Sequence, residues 1–300
     1  MTPERILYRL EWQIIRRLDG LLQGDYRTLF YGSGLDLADL RAYHPPDDIR
    51  HIDWNVTARM NSPYVRQYRE EREITAWFLL DLSPSMHFGP ATGSKETVLI
   101  DLVATLARLL TRNGNRVGAM LYNNHLGHTV PPRGGRAHVL RLIHELLRVG
   151  APPARTTTDL TQLLRAAHSA FARRSLIFLV SDFFSEPGWE RPLTLLNRRH
   201  ELVAIRLWDP REAELPDAGL LVMEDAETQQ QLLVDTSDRR FRRRFQEVVA
   251  RRERVLRDSM RRAAVDLFAV STEQDLLGAI VKMTTFRQRQ RRFGRGSAAT

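Results

Sequence analysis

Uncharged apolar runs alternate along this chain with segments whose apolar positions recur every three or four residues, a pattern that predicts buried strands between amphipathic helices. Thr75 to Leu80 is short, aromatic-rich and free of charge, as expected of a strand covered on both faces in a parallel sheet. Glu96 to Arg112 then reads as a helix with Val98, Leu99, Leu102, Val103, Leu106, Leu109 and Leu110 on one face, closed by Asn113-Gly114. Further strands are predicted at Val117 to Tyr122, Ser175 to Val180, Leu202 to Leu207 and Val265 to Val270, with a short edge strand at His125 to Val130 after an Asn123-Asn124 turn. Helices are predicted at His138 to Leu147, Leu160 to Ala172, Trp189 to Asn197 and Leu276 to Phe286. Leu220 to Met223 and Gln231 to Val234 can pair as a hairpin across Glu224 to Thr228. Asp238 to Arg262 reads as a long helix with Phe241, Phe245, Val248, Val249, Val255, Leu256 and Met260 inward and its eleven arginines mostly outward. The succession predicts an α/β fold, a doubly wound, mainly parallel sheet of about six strands flanked by helices.

The N-terminal part has a different texture. Residues 3 to 22 carry Ile6, Leu7, Leu10, Trp12, Ile14, Ile15, Leu18, Leu21 and Leu22 at broadly helical spacing, which predicts an amphipathic helix packed on the main body. Residues 26 to 70 hold aromatics and Asp/Arg pairs but no long periodic element. The expected division is an extension over residues 1–70, the α/β domain over 71–287, and a basic, disordered tail over 288–300.

Composition narrows the function. With 300 residues, 43% apolar and 27% charged, the chain can bury one sizeable core, and no window approaches a membrane-spanning helix. The N-terminus lacks a signal-peptide apolar core, so a cytoplasmic location is expected. The absence of cysteine excludes disulfides, thiolate metal sites and cysteine nucleophiles. A formal charge of +9 and a pI near 10.5 would attract acidic partners. Only Lys95 and Lys282 among the 45 basic residues are lysine, so the basicity looks like arginine-biased residue usage more than a nucleic-acid footprint.

The chemistry concentrates where strands end. Asp81, Ser83 and Ser85 are hard oxygen ligands at alternate positions just after the first strand, where open α/β sheets bind ligands. A second uncharged strand also ends on a carboxylate, Asp182. Thr156-Thr157-Thr158-Asp159 caps a predicted helix, and Thr158 can alternatively offer one more metal oxygen. Gly89 to Lys95 fails the spacing of a phosphate-binding loop, and Gly32 and Gly34 are too few for a dinucleotide loop. An aspartyl-phosphate phosphatase would want a carboxylate where Ser83 stands, and a serine hydrolase would want a Gly-x-Ser-x-Gly elbow that the chain lacks. The histidines show no paired i, i+4 arrangement on a predicted helix and are assigned no metal role.

Asp81-Leu-Ser83-Pro-Ser85, Thr158 and Asp182, in that order, resemble the metal-ion-dependent adhesion site of the von Willebrand factor A domain. Upstream, Tyr43, Asp47-Asp48-Ile49-Arg50-His51-Ile52-Asp53-Trp54 and Ala58-Arg59 resemble the signature of the bacterial family called domain of unknown function 58, with Pro46 where that family usually has glycine. Trp208-Asp209-Pro210-Arg211-Glu212, Leu215-Pro216, Gly219 and Asp235-Thr236 extend the match, so it runs from about residue 30 to residue 287. The resemblance implies Mg²⁺ or Mn²⁺ as the cofactor, a MoxR-type AAA+ ATPase partner, and a role in chaperone-like assembly or maturation of client proteins. Tyr43, Asp47, Asp48, Arg50, Asp53, Trp54 and Arg59 are expected to be structural, with the charged members forming an ion-pair network. The expected function is a binding device without catalysis, its neutral hydroxyl ligands leaving a cation open to a partner's carboxylate. The alternatives are a two-metal nuclease drawing on Asp81, Asp182 and Asp53, and a nucleic-acid binder using the helix from Asp238 to Arg262.

Overall fold

A computed structural model describes residues 2–22, 40–44, 52, 54–60, 62–66, 74–90, 93–149 and 157–294. The chain divides into two compact units, one of Met1–Phe30 with Ile74–Thr300 and one of Tyr31–Glu73. Helix α1 starts at Pro3–Leu10 with Thr2 as its cap, passes through a π-helical stretch Glu11–Ile15, and finishes as Arg16–Leu22. Ile6, Leu7, Leu10, Ile14, Ile15 and Leu18 are buried, while Trp12 and Leu21, read from the sequence as part of the apolar face, are exposed. Trp12 instead lies under the Arg16 guanidinium, 3.7 Å from its ring centre.

The smaller unit pairs β1 (Leu40–Ala42) antiparallel with β2 (Tyr64–Arg66), and carries helix α2 (Trp54–Met60) between them. The Tyr43 amide donates to the Pro63 carbonyl at 2.8 Å, and the Tyr64 amide donates to the Thr57 hydroxyl at 3.1 Å.

In the larger unit the elements run β3 (Thr75–Asp81), α3 (Lys95–Arg112), β4 (Arg116–Tyr122), β5 (Leu126–Arg133), α4 (Arg136–Arg148), α5 (Leu160–Ala170) and β6 (Leu176–Ser181). They continue as α6 (Glu190–Arg199), β7 (Glu201–Trp208), the hairpin β8 (Leu220–Glu224) and β9 (Gln231–Asp235), α7 (Arg239–Arg262), β10 (Asp266–Ser271) and α8 (Leu276–Gly294). The sheet has six strands in the order β10-β7-β6-β3-β4-β5, all parallel except β5, which pairs antiparallel with β4. Successive side chains of a strand point to opposite faces, and here both faces are covered. Phe78, Leu80, Ala119, Leu121, Phe178 and Val180 join the core under α1, α3, α4 and α8. Leu79, Met120, Ile177, Leu179 and Ala204 join a second core under α5, α6 and α7. That double covering is why β3 and β6 read as unbroken apolar runs. A six-stranded, mainly parallel sheet with helices on both sides is the von Willebrand factor A-like architecture that the resemblance implied.

Helix α1 belongs to this unit. Arg9 pairs with Asp101 at 2.5 Å and Glu11 with Arg108 at 2.8 Å, both partners lying on α3. Two expectations change. On α7, Leu256, Ser259 and Met260 are buried, but Val248 and Val255 are exposed. Those two valines stand seven residues apart on a common face, and Val255 is rotated about 100° from Leu256 on a helix of 3.6 residues per turn, so only one of the two stripes meets the core. The last helix continues to Gly294, through residues expected as tail. Arg287 is buried and paired with Glu201, and the following arginines and glutamines are good helix formers with no breaker before Gly294.

Candidate cation site

Strand register brings the two strand-end carboxylates to the same end of the sheet. Leu80 pairs with Val180 across β3 and β6, so Asp81 is level with Ser181 and Asp182 lies one residue beyond. Asp81 Oδ1 accepts from the Ser83 amide at 3.0 Å and Oδ2 from the Ser181 hydroxyl at 2.6 Å. The Ser83 and Ser85 hydroxyl oxygens are 3.2 Å apart, Ser85 being carried by the 3-10 turn Pro84–His87. Asp182 Oδ1 accepts from the Phe184 amide at 2.9 Å. Phe183, between Asp182 and Phe184, takes the left-handed φ of 60°, and its amide donates to the Ser181 hydroxyl at 2.8 Å. Asp81, Ser83, Ser85 and Asp182 are all buried. Burial, with the facing charge of Asp182, pushes the Asp81 carboxyl up to about 7 against the hydrogen bonds from Ser181 and Ser83.

Asp182 has a partner that sequence reasoning missed. Lys95, fully buried at the start of α3, donates from Nζ to Asp182 Oδ2 at 2.7 Å and to Glu212 Oε1 at 2.5 Å. Its one available signal was that it is one of only two lysines in an arginine-rich chain. Glu212 ends the turn Pro210–Glu212 after β7, where its other oxygen accepts from the Asp209 amide at 3.1 Å. Asp209 is in turn held by Arg211 and by the Thr272 hydroxyl at 2.8 Å. From α7, Arg252 donates to the Phe183 carbonyl at 2.9 Å and lies 3.2 Å from the centre of the Phe184 ring.

Thr158 is buried at the same end of the sheet. The cap of α5 is Asp159, which accepts from the Thr161 amide, so the Thr158 hydroxyl is free for other use. That hydroxyl lies 2.6 Å from Glu227 Oε1, to which it donates, and 3.2 Å from Asn124 Oδ1. The Thr158 amide donates to Glu227 Oε2 at 3.1 Å. Burial and the charges of Asp182 and Asp225 raise the Glu227 carboxyl against these bonds. Hydrogen bonds thus link Asp81, Ser83 and Ser85. Asp182 faces Asp81 by charge, and Thr158 reaches the cluster through Glu227, which sequence reasoning had placed only in a hairpin turn. Of the signature residues, Tyr43 is half-buried, and Trp54 and Arg59 are exposed. Asp47, Asp48, Arg50 and Asp53 lie outside the described residues.

The family model for "Protein of unknown function DUF58" matches residues 39–255. The chain belongs to the DUF58 family. A relative, the uncharacterized protein Rv1480 of Mycobacterium tuberculosis, is 34% identical over 285 residues, 94% of this chain and 89% of the relative. Among solved structures, an aerotolerance-related membrane protein from Bacteroides fragilis matches 72% of this chain and 99% of its own, at 13% identity and a TM-score of 0.48. The SpRpn10 VWA domain matches 70% and 94%, at 12% identity and a TM-score of 0.39. Among the described residues of this DUF58 chain, no helix is long and apolar enough to cross a membrane.

The residues present fit a hard divalent cation. Among the described residues no three His, Cys, Asp or Glu side chains are grouped to hold a metal by themselves, so a cation here needs the Ser and Thr hydroxyls. Four carboxylates, Asp81, Asp182, Glu212 and Glu227, meet two cations, Lys95 and Arg252. Two negative charges are left over when all four are ionised. Asp81, Asp182 and Lys95 are buried while Glu212, Glu227 and Arg252 are partly so; buried charge is retained when it is paired or coordinates a metal, and a divalent ion would offset the remainder.

Proposed function

We propose that this DUF58 protein is a non-enzymatic, cation-dependent protein-interaction module. Asp81, Ser83, Ser85, Thr158 and Asp182 would hold Mg²⁺ or Mn²⁺, and the observation that carries the reading is the arrangement of Asp81, Ser83, Ser85 and Asp182, all buried, at the carboxyl ends of adjacent parallel strands, with buried Thr158 beside them at the start of α5. A bound divalent ion would supply an open coordination position for a partner's carboxylate. The chain's own residues prepare it: Ser181 and the Ser83 amide orient Asp81, and Lys95 orients Asp182. The neutral hydroxyls keep ligand charge low. VWA-like domains typically work as protein-interaction modules, which supports a protein partner over a substrate. By family resemblance that partner is a MoxR-type AAA+ ATPase, with this protein its cytoplasmic adaptor towards a client.

Thermal melting tests the site. Mg²⁺ at 100 times its Kd should add about 2.7 kcal/mol of stability by mass action, and Asp81→Ala should lose that increment. Equal stabilisation of wild type and variant would refute the site. A pull-down with the ATPase, with and without EDTA and with Asp81→Ala, tests the adaptor role, which fails as a metal-dependent contact if binding is indifferent to both treatments.

A further inference from the structure

The β8–β9 hairpin reaches the cation site with a carboxylate of its own. We propose that Glu227, at the tip of this hairpin, is a built-in ligand that takes the place of the partner's acidic side chain, so that a partner engages the site by displacing it. The inference rests on the cation-site reading above and adds how that site is occupied before a partner arrives.

Both Glu227 oxygens are committed to one residue of the site, Oε1 to the Thr158 hydroxyl and Oε2 to the Thr158 amide. The turn that presents Glu227 is itself ordered by a neighbouring carboxylate. Asp225 Oδ1 accepts from the amides of Glu227 at 3.0 Å and Thr228 at 2.6 Å, and from the Thr228 hydroxyl at 2.9 Å. Such an Asx turn fixes the backbone on either side of Glu227. The root of the hairpin is also fixed, because buried Thr236 bonds the Gly219 carbonyl through both its amide and its hydroxyl at 2.7 Å. Between root and tip the ribbon is loosely held: Leu220, Val222, Leu232 and Leu233 are exposed, and Val234 is the buried residue of the two strands. Elements with few buried apolar contacts open at low cost. An arm secured at its root, sparsely packed along its length and latched at its tip by a single carboxylate can release that carboxylate without unfolding the sheet.

Mn²⁺ binding to the full chain, followed by water-proton relaxation, tests this. In wild type, Mn²⁺ should bind, and Asp81→Ala should abolish binding. Glu227→Ala should raise the Mn²⁺ Kd at least about tenfold and increase the number of metal-bound waters. Acetate titrated into the Mn²⁺-loaded protein should displace water from Glu227→Ala but not from wild type, and Glu224→Gln, on the same hairpin, should behave as wild type. If Asp81→Ala abolishes Mn²⁺ binding while Glu227→Ala matches wild type in affinity and acetate response, the latch is refuted and the cation site stands. If wild type binds no Mn²⁺, or Asp81→Ala binds it equally well, the site itself fails and the latch with it.

Discussion

Lys95→Met isolates the charge ledger at the strand ends. The substitution keeps an unbranched side chain of similar length, so packing changes little, but it withdraws one of the two cations that face four carboxylates. Lys95, Asp182 and Glu212 side chains are 0%, 1% and 15% exposed, so solvent screening does not blunt the loss as it would at a surface pair. Breaking a buried pair by removing one partner costs about 3–5 kcal/mol, because the other charge remains buried and uncompensated. For a chain of this size each kcal/mol moves the melting temperature by about 2–4 °C, which puts the expected fall near 10 °C in EDTA. Differential scanning fluorimetry, checked by urea midpoints, reads it directly. The same variant should gain more from Mg²⁺ than wild type does, since a divalent ion would then also offset the charge that Lys95 no longer balances. A variant as stable as wild type in EDTA would show that Asp182 and Glu212 do not depend on Lys95, and a smaller Mg²⁺ gain in the variant would refute the sharing of charge between lysine and cation.

Gly118 on β4 has no room for a side chain. An added Cβ would lie 2.8 and 2.9 Å from ring atoms of Trp77 and 3.0 Å from the Val130 carbonyl oxygen, and Trp77 is stacked on Phe171 at 4.2 Å and cannot easily yield. Gly118→Ala should cost about 1–3 kcal/mol by urea unfolding, and a neutral result would show that the Trp77–Phe171 stack is loose. Asp209 provides a pH signature. Burial pushes its carboxyl up, but the hydrogen bonds from Arg211, then Thr272, outweigh burial and leave it below the usual carboxylate range. A depressed carboxylate contributes stability that is complete above its unfolded pKa of about 3.9 and is lost as pH falls through the lower folded value. Wild type should therefore exceed Asp209→Asn in urea midpoint at pH 7, and that margin should begin to shrink as pH falls below about 4. A margin that does not shrink at all as pH falls below about 4 would contradict the assignment.

What the sequence disclosed, and what it withheld, divides by range. Strands β3 and β6 were legible because both faces of a central parallel strand are buried, which writes an unbroken apolar run into the sequence. Asp81, Ser83 and Ser85 were legible because they fall within five residues of one another at a strand exit. Thr158 could be read as helix cap or site oxygen, and nothing local decided between them; the structure gives the cap to Asp159. Lys95 meets Asp182 and Glu212 across 87 and 117 residues, and Glu227 meets Thr158 across 69, separations at which no periodicity survives. The error on α7 had another origin: a helix whose apolar residues fall on two adjacent stripes does not declare which one the sheet covers, and Val248 and Val255 belong to the uncovered stripe.

These separations bear on how the site works. Asp81, Ser83, Ser85 and Asp182 sit at strand exits and in the segments just beyond them, where the sheet fixes their position, and Thr158 joins them from the start of α5. The charged groups around them come from elements held to different degrees: the cations Lys95 and Arg252 from the first turn of a long buried helix and a half-buried position on α7, and the carboxylate Glu227 from the tip of an exposed ribbon. A partner's acid can take the place only of another carboxylate, and Glu227 is the most weakly tethered of them, whereas pulling Asp182 or Glu212 from Lys95 would break a largely buried pair at several kcal/mol. Displacing Glu227 returns a carboxylate to water, where it is well solvated. The same arithmetic that makes Lys95 costly to remove therefore makes Glu227 the replaceable member of the site.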